Sequence, residues 1–139
     1  PKRWEKRELE AMAVNKITWN EIKNAPSLKT VLKKFEATFG TDVTVTPYGS
    51  ILDTAYLRMS YKECKMKYPF DYHVFDIWPL AFIYMAKHKL LTNKTRFSGF
   101  SMEDTANHFN IPVPEDRHTV IADCRLEAEI LRRLLKELV

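Results

Sequence analysis

Apolar positions recur at helical spacing over most of the 139-residue chain, and two short alternating stretches interrupt them. Residues 1–14 are charged with scattered apolar positions, which suits a surface arm or a short helix. Ile17 to Lys23 reads as a helical turn. Ser27 is an N-cap before Leu28, Val31, Leu32 and Phe35, and Gly40 suits the end of that helix. Asp42 to Thr46 alternates and is β-branched, so it predicts a strand stopped by Pro47. Ser50 to Lys65 returns to the helical period, with Ile51, Leu52, Ala55 and Met59 on one side. His73 to Asp76 predicts a second short strand, followed by a helix from about Trp78 to His88. Ser101 and Asp104 form an approximate capping box for a helix ending near Phe109. Val120 to Val139 is amphipathic, with Ile121, Cys124, Ala128, Leu131, Leu135 and Leu138 tracing one face. Helices with interleaved strands predict an α/β fold in which the sheet is only partly represented.

Composition narrows the function classes. With 3 glycines the chain has neither G-x-G-x-x-G nor G-x-x-x-x-G-K-[ST], which excludes nucleotide cradles of that kind. Cys64 and Cys124 are too far apart for a metal knuckle or a disulfide framework, and point to a reducing, cytoplasmic setting. Net charge is +4, with 13 basic and 8 acidic residues over 1–70 against 9 and 10 over 71–139. A basic excess in one half is compatible with a polyanionic partner and equally with a solvated surface. The longest apolar stretch, Ile77 to Ala86, contains a proline and falls well short of a membrane span, so no membrane partner is expected. No repeat, low-complexity segment or linker divides the chain, which reads as one domain over 1–139.

Two carboxylates stand in apolar surroundings. Asp53 lies three residues into a helical pattern directly after a strand, and Asp123 lies in the first turn of the terminal helix among Val120, Ile121, Ala122 and Cys124. Such acids need a partner, and a hard divalent cation is one, although an acid in a first helical turn also suits the helix dipole. His118 precedes Asp123 at a loop-to-helix junction, where it would serve as a general base beside metal-bound water or simply cap the helix. Tyr48 and Gly49 precede Asp53: the glycine permits close backbone approach and the tyrosine a stacking contact. Lys87, His88, Lys89, Lys94 and Arg96 beside Phe97 and Phe100 would track a nucleic-acid backbone or form a lysine-rich surface. Trp4, Trp19 and Trp78 are expected in or near the core.

The order of these pieces carries a resemblance. Tyr48-Gly49-Ser50-Ile51-Leu52-Asp53, then Asp76-Ile77-Trp78-Pro79-Leu80-Ala81, then Ser98 to Asp104 leading into Asn107 to Ile111, and finally Arg117-His118-Thr119-Val120-Ile121-Ala122-Asp123 resemble the DEDDh, DnaQ-like 3′–5′ exonucleases of the ribonuclease H-like fold. The similarity runs from about Ile17 to the C-terminus. It implies helices around a mixed sheet that is partly missing. It also implies that Asp53 and Asp123 are metal carboxylates for a pair of Mg²⁺ or Mn²⁺ ions, and that His118 is the general base. Tyr48 and Gly49 take the place of the family's His-Asn and are the implied substrate contacts. The implied reaction releases nucleoside 5′-monophosphates from single-stranded DNA or RNA 3′ ends.

One departure is large. The family's first motif, D-x-E on the leading strand, has no counterpart: none of the aspartates at 42, 53, 71, 76, 104, 116 and 123 is followed by Glu two positions on. The expectation is therefore an exonuclease domain whose D-x-E region comes from a missing segment or another chain, with this chain inactive by itself. The alternatives are an inactive relative that binds nucleic acid or protein, and a small helical interaction domain. A strand bearing D-x-E upstream of Pro1, or in a co-purifying chain, separates the enzyme from the binders.

Overall fold

The computed structural model describes residues 6–91, 101–116 and 119–139. Seven helices occur among them: α1 Lys6–Val14, α2 Trp19–Asn24, α3 Leu28–Phe39, α4 Ser50–Glu63, α5 Ile77–Lys87, α6 Met102–His108 and α7 Val120–Leu138. Their starts follow capping chemistry. The Ser27 hydroxyl accepts the Thr30 N–H at 3.2 Å, and Ser101 and Asp104 form a reciprocal capping box at α6. Thr18 and Glu21 form a second such box at α2.

The helix ends show how a glycine-poor chain turns. α3 closes on Gly40 at φ 75°, but Lys16, Lys65, Lys89 and Asn110 take left-handed φ values of 52–57° after α1, α4, α5 and α6. In each case the next residue's N–H reaches back five positions: Ile17 to Met12, Met66 to Tyr61, Leu90 to Met85 and Ile111 to Ala106, all at 2.9 Å. These are Schellman closures made without glycine, and the apolar residue that follows each one accompanies that motif.

The main core lies where α5 and α6 pack on α7. It holds Ile77, Ala81, Tyr84, Met85, Ala106, Ile111, Leu126, Ile130 and Leu134. A second, smaller cluster of Leu32, Tyr61 and Phe70 joins α3 to α4, with Val45, Leu57, Met66 and Tyr68 packed around it.

The expected mixed sheet is not present among the described residues. Asp42–Thr46 and His73–Asp76 contribute only one parallel bridge, Val45 to Val74, with the Phe75 N–H on the Val45 carbonyl at 3.0 Å. β-branched propensity does not make a strand without neighbours to satisfy its ladder, and one bridge is what two short segments achieve alone. The α/β expectation, a ribonuclease H-like fold with a partial sheet, is thus corrected to an all-helical arrangement. The buried row of α7 also differs from the expected one. It is Ala122, Leu126, Ile130 and Leu134, spaced by four, while Ile121, Cys124 and Leu135 are exposed. Trp19 is exposed rather than in the core, and Trp78 is half-buried against the main cluster. Trp4, Lys94, Arg96, Phe97, Phe100, Arg117 and His118 lie outside the described residues. No described helix is long and apolar enough to cross a membrane.

Candidate active site

Residues 45–47 run beside 74–77. The Ile77 N–H donates to the Pro47 carbonyl at 3.0 Å, one step beyond the Val45–Val74 bridge. This short parallel contact brings the start of α4 against the start of α5. Asp76 stands at the junction as the N-cap of α5, donated to by the N–H groups of Trp78, Gly49 and Ser50. Burial pushes its carboxyl upward, but the bonds from Ser50, Gly49 and Trp78 outweigh that and hold it below the ordinary carboxylate range.

Tyr48 turns its ring toward α6. Its hydroxyl shares a hydrogen bond with the Thr105 hydroxyl at 2.8 Å and donates to the Ser101 carbonyl at 3.3 Å. Burial, with Asp104 and Asp76 nearby, pushes its phenol up to about 12 despite the Thr105 bond. Gly49 follows at φ 89°, ψ 74°, a left-handed turn that α4 starts from without any side-chain cap of its own. Asp53 comes in the first turn of that helix, exposed.

From the other side α7 presents Asp123 in its first turn and Glu127 one turn later, both half-buried. Asp53 and Asp123 act on the same two neighbours. Burial, then Asp53, then Asp123 and Asp76 push the Glu127 carboxyl up to about 7, against a partial offset from the Tyr48 N–H. Burial, with Glu127, Asp123 and Asp53, likewise raises the Cys124 thiol. The fold therefore gathers Asp53, Asp123, Glu127 and Asp76 into one electronegative neighbourhood at the ends of α4, α5 and α7.

Carboxylate oxygens are the hard donors that Mg²⁺ and Mn²⁺ take. Yet among the described residues no three His, Cys, Asp or Glu side chains converge as a metal-holding group, so Asp53 and Asp123 are donors of the right kind in an incomplete set. Of the residues singled out from sequence, Asp53, Asp123, Tyr48 and Gly49 fall together here, and His118 lies outside the described residues.

Two members of the neighbourhood were not expected. Glu127 stands four positions after Asp123, which places it on the same helical face, but a charge in an amphipathic helix ordinarily reads as solvated. The sequence pattern puts Asp76 at the end of a strand, although Asp immediately before an apolar helical run is also a capping signature.

No curated protein and no solved structure matches the chain. A family model does, over residues 1–131, and its description is Exonuclease (RNase_T). That match spans nearly the whole chain, including every residue of the acidic neighbourhood, and the protein belongs to the exonuclease family.

Proposed function

We propose that the chain is the larger part of a metal-dependent 3′–5′ exonuclease domain of the DEDDh kind. It would act on single-stranded DNA or RNA 3′ ends and release nucleoside 5′-monophosphates, with D-x-E carboxylates brought by a further segment or another chain. The observation that carries this reading is the exonuclease-family match over residues 1–131, in a chain that places Asp53 and Asp123 in the first turns of α4 and α7. In a completed site, a pair of Mg²⁺ or Mn²⁺ ions supplies charge neutralisation at the scissile phosphate. Asp53 and Asp123 would contribute carboxylate oxygens to those ions. His118 takes the proton of the attacking water, and the backbone at Tyr48 and Gly49 lines the terminal nucleotide.

The apolar surface left uncovered supports a complementing segment. Ile51, Leu52, Tyr56 and Met59 on α4 are 52–82% exposed, and Val43 and Phe75 beside the single bridge are also exposed. A face of that size invites cover by another chain or segment. Residues 1–139 alone should therefore self-associate in sedimentation, and the D-x-E segment should disperse them; a cooperative monomer from this chain alone would overturn the complementation.

With the segment present, 3′ ends should shorten with Mg²⁺ or Mn²⁺ and stop with EDTA. Asp123→Asn should abolish turnover, whereas His118→Ala should slow it about 10²–10⁴-fold with metal affinity unchanged. Wild-type rates from His118→Ala would remove that residue from the chemistry. A second reading is an inactive exonuclease relative that binds nucleic acid or protein. Persistent binding of single-stranded oligonucleotides without cleavage, in every metal and with the segment added, would select it.

A further inference from the structure

Asp76 does more than a helix cap requires. Its Oδ1 accepts the Trp78 N–H at 2.9 Å, which is ordinary N-capping of α5. The same oxygen accepts the Gly49 N–H at 2.9 Å, and Oδ2 accepts the Ser50 N–H at 2.8 Å. Gly49 and Ser50 lie 27 and 26 positions away and begin a different helix. Gly49 adopts the left-handed conformation, and in it two consecutive backbone N–H groups, its own and that of Ser50, face one carboxylate. On the other side of the same turn, the Tyr48 hydroxyl is fixed to Thr105 and Ser101 on α6. The first turn of α4 is thus gripped from α5 and steadied from α6, and Asp53 rides on that turn.

We propose that Asp76 is a positioning residue: by holding Gly49 and Ser50 it sets the first turn of α4 against α5 and keeps the Asp53 carboxylate in the neighbourhood of Asp123 and Glu127 on α7. The consequence for catalysis rests on the exonuclease reading above; the clamp itself does not. A charged acceptor is used because its bonds to N–H are shorter and stronger than those of a neutral one. Neither a hydroxyl nor an amide at position 76 reproduces it. Serine reaches only the Trp78 N–H, and asparagine must turn its NH₂ toward at least one of the N–H groups it would need to accept.

Asp76→Ser separates the clamp from the cap, since serine is itself a preferred N-cap for α5. Hydrogen exchange read by mass spectrometry tolerates self-association, so the full chain serves as it is. In Asp76→Ser, exchange over residues 47–52 should rise at least about tenfold while residues 77–84 stay at the wild-type rate. Asp76→Glu, which keeps both oxygens, should recover part of that protection. Mn²⁺ alone, followed by water-proton relaxation, should bind Asp76→Ser several-fold more weakly than wild type. Unchanged exchange over 47–52 in Asp76→Ser would overturn the clamp, and equal loss over 47–52 and 77–84 would reduce Asp76 to a plain structural cap. Mn²⁺ binding unaffected by a lost clamp would overturn the link to Asp53. A wild-type chain that ignores Mn²⁺ while Asp76→Ser loses protection would leave the clamp standing and count against the metal site instead.

Discussion

The two apolar clusters of this protein are built differently. Around α5, α6 and α7, nine buried residues close on one another, most of them aliphatic, and Ile130 and Leu134 are 0% exposed. Around α3 and α4, three buried residues, Leu32, Tyr61 and Phe70, are held by rings at near-right angles: Tyr61–Tyr68, Tyr61–Phe70 and Tyr68–Phe70 centroids lie 5.4–5.9 Å apart. Two buried hydroxyls there, on Tyr61 and Tyr68, lack a hydrogen-bond partner among the described residues. The same region carries exposed Val31, Phe35, Phe39, Ile51, Leu52, Tyr56 and Met59. Helix-on-helix packing closes the core of the first region, while Ile83, Val120, Ile121 and Leu135 on its outer faces stay exposed. The second is organised around aromatic edges yet leaves much of its apolar surface to water, which marks it as the half that needs something laid against it. The acidic neighbourhood sits on the border, with Asp123 and Glu127 on the helix of the closed region and Asp53 on a helix of the open one.

The largest test of this contrast is cavity formation. Ile130→Ala should cost about 2–5 kcal/mol, because its surroundings are closed and relax little, whereas Leu32→Ala should fall at or below the low end of that range. Urea unfolding of both variants measures the gap, and equal losses would erase the distinction.

Gly49→Ala comes next. No atom lies within 4 Å of an added Cβ, so the substitution isolates backbone strain at φ 89°. That strain is about 1–2 kcal/mol for a non-glycine residue, and it should appear as early opening of α4 with α5–α7 intact. Exchange over 50–63 against 120–138 reads it.

Glu127 tests the border between the regions. Its carboxyl is raised from 4.5 to about 7 in the folded chain, so between those values the folded state binds more protons than the unfolded. The stability it contributes is full below pH 4.5 and is lost as pH rises through about 7. Glu127→Gln should therefore gain about 1 kcal/mol over wild type at pH 8, a figure reduced for partial exposure, and nearly nothing at pH 5. Urea midpoints at the two pH values supply the comparison.

The smallest effect should be equal in both regions. Lys65→Gly after α4 and Lys89→Gly after α5 each relieve a left-handed lysine, and each should gain about 0.5–1 kcal/mol once the entropy of glycine is counted. Matching shifts in thermal midpoint would show that helix closure is local, while the difference between the clusters is not.

These contrasts also explain what the sequence disclosed. Caps are local chemistry, so Ser27, Ser101 and Gly40 marked their helix ends correctly. The alternation at Asp42–Thr46 marked a segment that wants strand neighbours, and only Val45 finds one. On α7 the apolar residues cover more than one stripe, and the choice between Leu131–Leu135 and Ile130–Leu134 depends on where α5 and α6 sit, which no single-helix pattern contains. Motif order singles out Asp53 and Asp123, and the capping patterns place them in the first turns of α4 and α7. Glu127 and Asp76 were not legible, because their meaning arises from segments that meet only in the folded chain.

Cys124 makes the acidic neighbourhood readable from outside. Its thiol is exposed as a residue, yet burial of the sulfur and the fields of Glu127, Asp123 and Asp53 hold its proton on, so it is a poor nucleophile at neutral pH. Anything that cancels negative charge beside it, whether a bound cation, a basic peptide or the loss of one carboxylate, lowers that barrier to ionisation and speeds alkylation. Cys64, on the far end of α4, offers an internal reference. The ratio of the two labelling rates thus acts as an electrometer built into the chain, reporting occupancy of the site without requiring turnover.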